Sequence, residues 1–165
     1  MKNQLKLLSV IVVAILMTSC VSSKLSPDEV KAKVYSNNFS FVAKEYDNNT
    51  SYSAPLGTGR IASTNIPQVP DEAIGIQVTH DKLVINLPSN DNETKTNNYS
   101  LNKVSEDFTV ARKELSNGNI LVNFFLNDHK DIKVVKMEIG KDGKIDCSVE
   151  GSNLQPLYYV GYLQR

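Results

Sequence analysis

The chain predicts a mainly β (α+β) fold: an antiparallel meander of about eight or nine strands, curled into a barrel-like sheet or a sandwich, with one short N-terminal helix. Three observations carry that expectation. From residue 39 to the C-terminus, short runs alternate apolar with polar residues, the period of a half-buried strand. Turn chemistry such as Asn117-Gly118 and Asp142-Gly143 divides the runs. The connections are also too short for parallel crossovers, which need a dozen or more residues.

The elements follow in order. In "SPDEVKAKVYSNN", Ser26 can cap a helix, Pro27 suits its first turn, and Asp28 and Glu29 favour the positive end of its dipole. Val30, Ala32, Val34 and Tyr35 give a partial apolar stripe, and Asn37-Asn38 ends it. Strand "FSFVAKEY" comes next. Between Asp47 and Ala73, Pro55, Pro67, Pro70, Gly57 and Gly59 argue against continuous pairing, leaving one edge strand near "GRIAST". "GIQVTH" and "KLVINLP" join through a tight turn at His80-Asp81, and "SNDNETKTNN" is a polar loop. "YSLNKV", "DFTVARKEL", "NILVNFFLN", "IKVVKMEIG" and "KIDCSVEG" are five strands in quick succession, and "LYYVGYL" closes the chain. So many neighbouring antiparallel strands curl or fold over to protect their edges.

The front of the chain is different. Lys2 and Lys6 precede an apolar run over 7–17, broken only by Ser9 and Ala14. Eleven residues make a helix of roughly 16 Å, about half a bilayer core, so the run reads as a secretory signal and not a standing span. The run ends in "LMTSC", which resembles the lipobox of bacterial lipoproteins, with Met17 and Ser19 at positions where Leu and Gly or Ala are usual. The resemblance implies cleavage before Cys20 and lipidation of its thiol. It divides the chain into a signal peptide over 1–19, a lipidated tether over 20–26 and a single β-rich domain over 27–165. Each buried methylene adds ~0.8 kcal/mol of membrane affinity, so two or more acyl chains anchor stably. The membrane, reached through the Cys20 lipid, is the expected partner. Val21 is not the aspartate that retains lipoproteins at the inner membrane of enteric bacteria. The expected address is therefore the outer membrane, and its periplasmic side, because "VSSKLSP" separates the cysteine from Asp28-Glu29.

Removing residues 1–19 takes away two lysines and no acid, leaving 16 basic and 18 acidic residues and a net charge of −2. That balance gives no reason to expect nucleic acid. About 145 residues suit one domain with a sizeable core. With Cys20 acylated, Cys147 has no disulfide partner, and its place between Ile145 and Val149 puts it on the apolar face of a strand.

The early "FSFVA" (Phe39 to Ala43), the Leu87-Pro88 step and the closing Tyr159-x-Gly161-Tyr162 are together similar to a family of secreted proteins and lipoproteins of gut-type Bacteroidota, domain of unknown function 4251. The resemblance spans residue 28 to the end. It implies the β-rich domain and supplies no activity.

Candidate chemistry is sparse. Asp128, His129 and Asp131 in "NDHKD" are metal-ligating types, but consecutive turn residues point apart, and the expectation is a solvated turn. Asp142 and Asp146 stand at calcium-loop positions one and five, yet Cys147 replaces the sixth-position glycine and Asn153 the closing glutamate. No phosphate loop and no Gly-x-Ser-x-Gly elbow is present, so no catalytic residue, metal or cofactor is expected. Carboxylates that converge only in the fold remain open to a hydrolase of envelope or dietary polymers. The last strand carries the ligand-binding candidates Tyr158, Tyr159 and Tyr162, whose rings combine a flat apolar body with a polar tip. Alternation places Tyr159 with Leu157, Gly161 and Leu163, and Tyr158 with Val160 and Tyr162. The expected function is a non-catalytic, lipid-anchored envelope protein, a binding or accessory module for a small molecule, glycan or protein. The alternatives are the hydrolase and a structural lipoprotein that binds a partner protein.

Overall fold

The computed structural model describes residues 25–47, 64–65, 74–89, 101–152 and 156–164. The signal segment, Cys20 and most of the tether lie outside these residues, as do most of the 47–73 stretch and the polar loop after Ser89.

Among the described residues, helix α1 is Pro27–Tyr35 and ten strands follow: β1 Phe39–Asp47, β2 Thr64–Asn65, β3 Gly75–Val78, β4 Leu83–Leu87, β5 Leu101–Ser105, β6 Phe108–Glu114, β7 Ile120–Leu126, β8 Val134–Ile139, β9 Lys144–Glu150 and β10 Leu157–Leu163. Nine strands run in the order β5-β4-β3-β1-β10-β9-β8-β7-β6, all neighbours antiparallel, while β2 adds two residues against β1. The mainly β, antiparallel fold, with one short helix among the described residues, is as the sequence predicts. The "GRIAST" edge strand is seen only at Thr64 and the following Asn65.

Alternation sets the faces. In β4, β7 and β10 every other residue is buried, and the positions between them are half-buried or exposed. The buried side chains form one core, with Phe41, Ile76, Ile85, Phe124, Met137 and Tyr159 among the largest. Cys147 sits in that core, on the apolar face that the sequence assigns to it. The Gly118 and Gly143 turns adopt φ of 79° and 80°, the left-handed region that glycine enters without a Cβ clash. They make the β6–β7 and β8–β9 hairpins tight.

Two features depart from a simple meander. First, β1 pairs with β10, so the first and last long strands lie side by side. Gly161 makes this possible: a Cβ there would stand 2.0 Å from the Val42 carbonyl oxygen. Second, the Ser105-Glu106 junction is a corner and not a hairpin. Strands β5 and β6 are the two ends of the strand order, yet only residues 106 and 107 separate them. The edges of the sheet must therefore converge there, and the sheet is a nearly closed barrel.

The β7–β8 connection fastens that corner. Asp128 Oδ1 accepts from Ser105 Oγ at 2.6 Å, and its Oδ2 accepts from the amides of Glu106 and Asp107 at 2.9 and 3.3 Å. These bonds hold the Asp128 carboxyl below its ordinary value of 3.8, the Ser105 hydroxyl contributing most. Thr79 and Lys82 close the β3–β4 turn, and antiparallel alternation from that pair aims residues 101, 103 and 105 at β4. Val104 then aims its carbonyl at the open side, where His129 Nε2 donates to it at 2.9 Å. Asp131 completes the strap with an ion pair to Lys103 at 2.7 Å.

Helix α1 covers one end of the barrel. Ser26 and Glu29 form a reciprocal capping box, and Pro27 stands in the first turn. Val30 and Val34 are buried against the barrel, worth ~1.5–3 kcal/mol each when fully removed from water. Polar ties surround them: Lys31 to Glu114 at 2.8 Å, Lys33 Nζ to the Gln164 carbonyl at 3.3 Å, and the Arg112 guanidinium to Asn37 Oδ1. Asn37 ends the helix with φ of 53°, a conformation that asparagine tolerates better than most residues.

Candidate functional site

Strand β10 crosses the middle of the sheet, between β1 and β9, and it separates the three candidate tyrosines. Tyr159 points inward and is 1% exposed, with its hydroxyl donating to the Pro88 carbonyl at 2.6 Å. Burial pushes its phenol well above the ordinary 10.0. Tyr159 is therefore a core residue carrying a satisfied hydroxyl. Tyr158 and Tyr162 belong to the opposite, outward face, where Tyr158 is half-buried and Tyr162 is 51% exposed. The alternation in "LYYVGYL" already gives this division.

The outward face leads into a cleft that no sequence motif marks. It has a volume of about 320 Å³ and lies where the β6–β7 and β8–β9 turns stand side by side. Asn117 and Asn119 come from one turn, Lys141 and Asp142 from the other, and Glu138, Lys144 and Asp146 from the outward positions of β8 and β9. Each position has a local cause. Asn117 Oδ1 accepts from the Asn119 amide at 2.9 Å, and Asp142 Oδ1 from the Lys144 amide at 3.1 Å, so both turns are held by their own side chains. Asn119 Nδ2 then donates to Glu138 Oε1 at 2.8 Å, tying the turn to the strand beside it. Glu138 and Asp146 are direct cross-strand partners, which places two carboxylates side by side on the cleft floor.

The cleft adjoins β10. Lys144 pairs with Tyr162, and Asp146 pairs with Val160. The sequence gives the outward direction of Glu138, Lys144 and Asp146 by alternation. It does not bring the two turns together, because that depends on β7, β8 and β9 being neighbours in register.

The metal-ligating residue types fall elsewhere. His129 stands 3.9 Å from a carboxylate oxygen of both Asp128 and Asp131, and each of the three is engaged in the strap of the barrel corner. No group of three metal-ligating side chains occurs among the described residues. Asp142 and Asp146 line the polar cleft.

A family model described as Domain of unknown function (DUF4251) matches residues 22–163. The chain belongs to the DUF4251 family. The match covers helix α1 and all ten strands, so the barrel and its outer cleft both lie within the DUF4251 domain. Neither a curated protein nor a solved structure matches the chain. Among the described residues of the DUF4251 domain no helix is long and apolar enough to cross a membrane.

Proposed function

We propose that this protein is a non-catalytic binding module of the bacterial envelope, tethered by lipid at Cys20 to the outer membrane and facing the periplasm. The observation that carries the binding role is the polar cleft opening beside the exposed Tyr162, on the outside of a barrel whose described interior is packed with side chains. Ligand sites are usually concave, with placed polar groups that fix the ligand's orientation. The tether rests on the basic start, the short apolar run and the lipobox-like "LMTSC".

A second reading is favoured by one observation. Glu138 and Asp146 are cross-strand partners on β8 and β9 and both line the cleft, and a pair of carboxylates at one site is what glycoside hydrolysis uses.

Three measurements test the proposal. Mass spectrometry of the mature N-terminus is expected to find diacylated Cys20, and Cys20→Ala is expected to move the protein from the membrane to the soluble fraction. A free, unacylated Cys20 thiol would remove the tether. Ligand profiling by thermal shift is expected to return a compound that raises the melting temperature without being consumed, because a ligand that binds the native state stabilises it. A hit that is turned over, with turnover lost in Glu138→Gln, would establish the hydrolase instead.

A further inference from the structure

We propose that the outward face of β10, together with the adjoining cleft, is a binding strip for an uncharged polysaccharide chain; this rests on the binding-module reading above.

The strip is linear. Tyr158, Val160 and Tyr162 occupy alternate positions of one strand, so they line up on one face. Four residues at ~3.3 Å each separate the two tyrosines by roughly 13 Å, longer than a single sugar ring. Beside Tyr162, across the neighbouring strands, the surface continues through its partner Val42 to Gly75, which adds no side chain. An extended chain can lie along such a surface, whereas a compact ligand would use only part of it.

The chemistry along the strip matches the two kinds of surface a pyranose presents. The faces of the sugar ring carry C–H groups, which stack on flat apolar side chains, and Tyr162 offers half its surface for that contact. The sugar's edge carries hydroxyls that both donate and accept. Along one side of the strip, β9 supplies Lys144 and Asp146 opposite Tyr162 and Val160. On the other side, Glu45 of β1 stands opposite Val160. The cleft continues the row of hydrogen-bonding groups through Glu138 and Asn119.

Charge selects among polymers. The carboxylates of Glu138, Asp142 and Asp146 and the ammonium groups of Lys141 and Lys144 are interspersed around the cleft. With Glu45 the count is four carboxylates to two ammonium groups, a small negative excess with both signs interspersed, which disfavours a polyanion and sets up no strong field. Interspersed donors and acceptors suit a neutral polyol. Tyr35, nearly as exposed at 49%, lacks this setting: its ring lies beneath Arg112 and Lys31, at 6.0 and 5.9 Å. It serves as the internal control.

The test is native affinity electrophoresis of the full-length protein in detergent. The gels contain hydroxyethyl cellulose, glucomannan, arabinoxylan or amylopectin as neutral polymers, and polygalacturonate as the charged one. Wild type is expected to be retarded by at least one neutral polymer. Tyr162→Ala is expected to weaken that retardation about tenfold, the size of effect when a stacked ring is lost. Asp146→Asn should weaken it less, and Tyr35→Ala should leave it unchanged. Tyr162→Gln provides a second variant if Tyr162→Ala is less stable. The proposal is overturned if no neutral polymer retards the protein, if polygalacturonate alone does, or if both Tyr162 variants bind as wild type. A non-carbohydrate ligand whose thermal shift depends on Asp146 would overturn the polysaccharide assignment and leave the binding-module reading standing. Cleavage of a retarding polymer would remove the non-catalytic reading and leave the polysaccharide assignment standing.

Discussion

Tyr159 joins two roles in one residue. Its ring fills the core beside Cys147, its register partner on β9, and its hydroxyl satisfies the Pro88 carbonyl at the end of β4. Tyr159→Phe keeps the ring but leaves that carbonyl without its donor, so a destabilisation of about 1–2 kcal/mol is expected by chemical denaturation. An unchanged midpoint would mean that water replaces the hydroxyl. The pH dependence has a definite sign. Burial holds the native phenol well above 10.0, so unfolded chains lose the proton first as pH rises. Tyr159 therefore contributes stability that is fully present below pH 10 and declines above it, and Tyr159→Phe should flatten that alkaline decline.

Among the elements, the β7–β8 strap and helix α1 replace what further strand pairing would supply. The strap occupies the β5 edge at Val104 and caps the corner at residues 106 and 107. Exposed strand edges invite pairing with other chains, and closing a sheet removes them. Asp128→Ala should expose the amides of Glu106 and Asp107, giving faster hydrogen exchange there and a lower melting temperature at neutral pH. Because the native carboxyl lies below its ordinary 3.8, its stabilisation is present above that value and lost as pH falls through the native one. The difference between wild type and Asp128→Ala should therefore shrink in acid. A gap that persists at low pH would show that the carboxylate is not what holds the corner. The sequence places Asp128, His129 and Asp131 of "NDHKD" in a turn, and the structure engages all three in the strap. Its target, β5, is some two dozen residues earlier in the chain, and no local pattern points to it.

Over the whole molecule, β10 is the central brace. It lies between β1 and β9 and brings the start of the domain against its end. Deleting residues 157–165 removes the partner of both strands and exposes Phe41, Ala43 and Cys147. The truncated protein is expected to lose its cooperative thermal transition and its near-ultraviolet circular dichroism. A sharp transition at the wild-type temperature would contradict the central role of β10.

What the amino-acid sequence determines here is local in origin. Alternation in "LYYVGYL", "NILVNFFLN" and "KIDCSVEG" sets which residues face the core, because side chains on a strand turn over with period two. Asn117-Gly118 and Asp142-Gly143 set the hairpins through their tolerance of positive φ. Ser26, Pro27 and Glu29 set the start of the helix through capping. Tertiary structure alone decided the β1–β10 pairing, the corner at Ser105-Glu106 and the cleft between two turns. Each depends on contacts between residues far apart in the chain, where the energy comes from closing the sheet and burying a shared core. Such contacts leave no periodic mark on either partner, so Glu138 and Asp146 read as two outward acids until the register of β8 and β9 makes them neighbours.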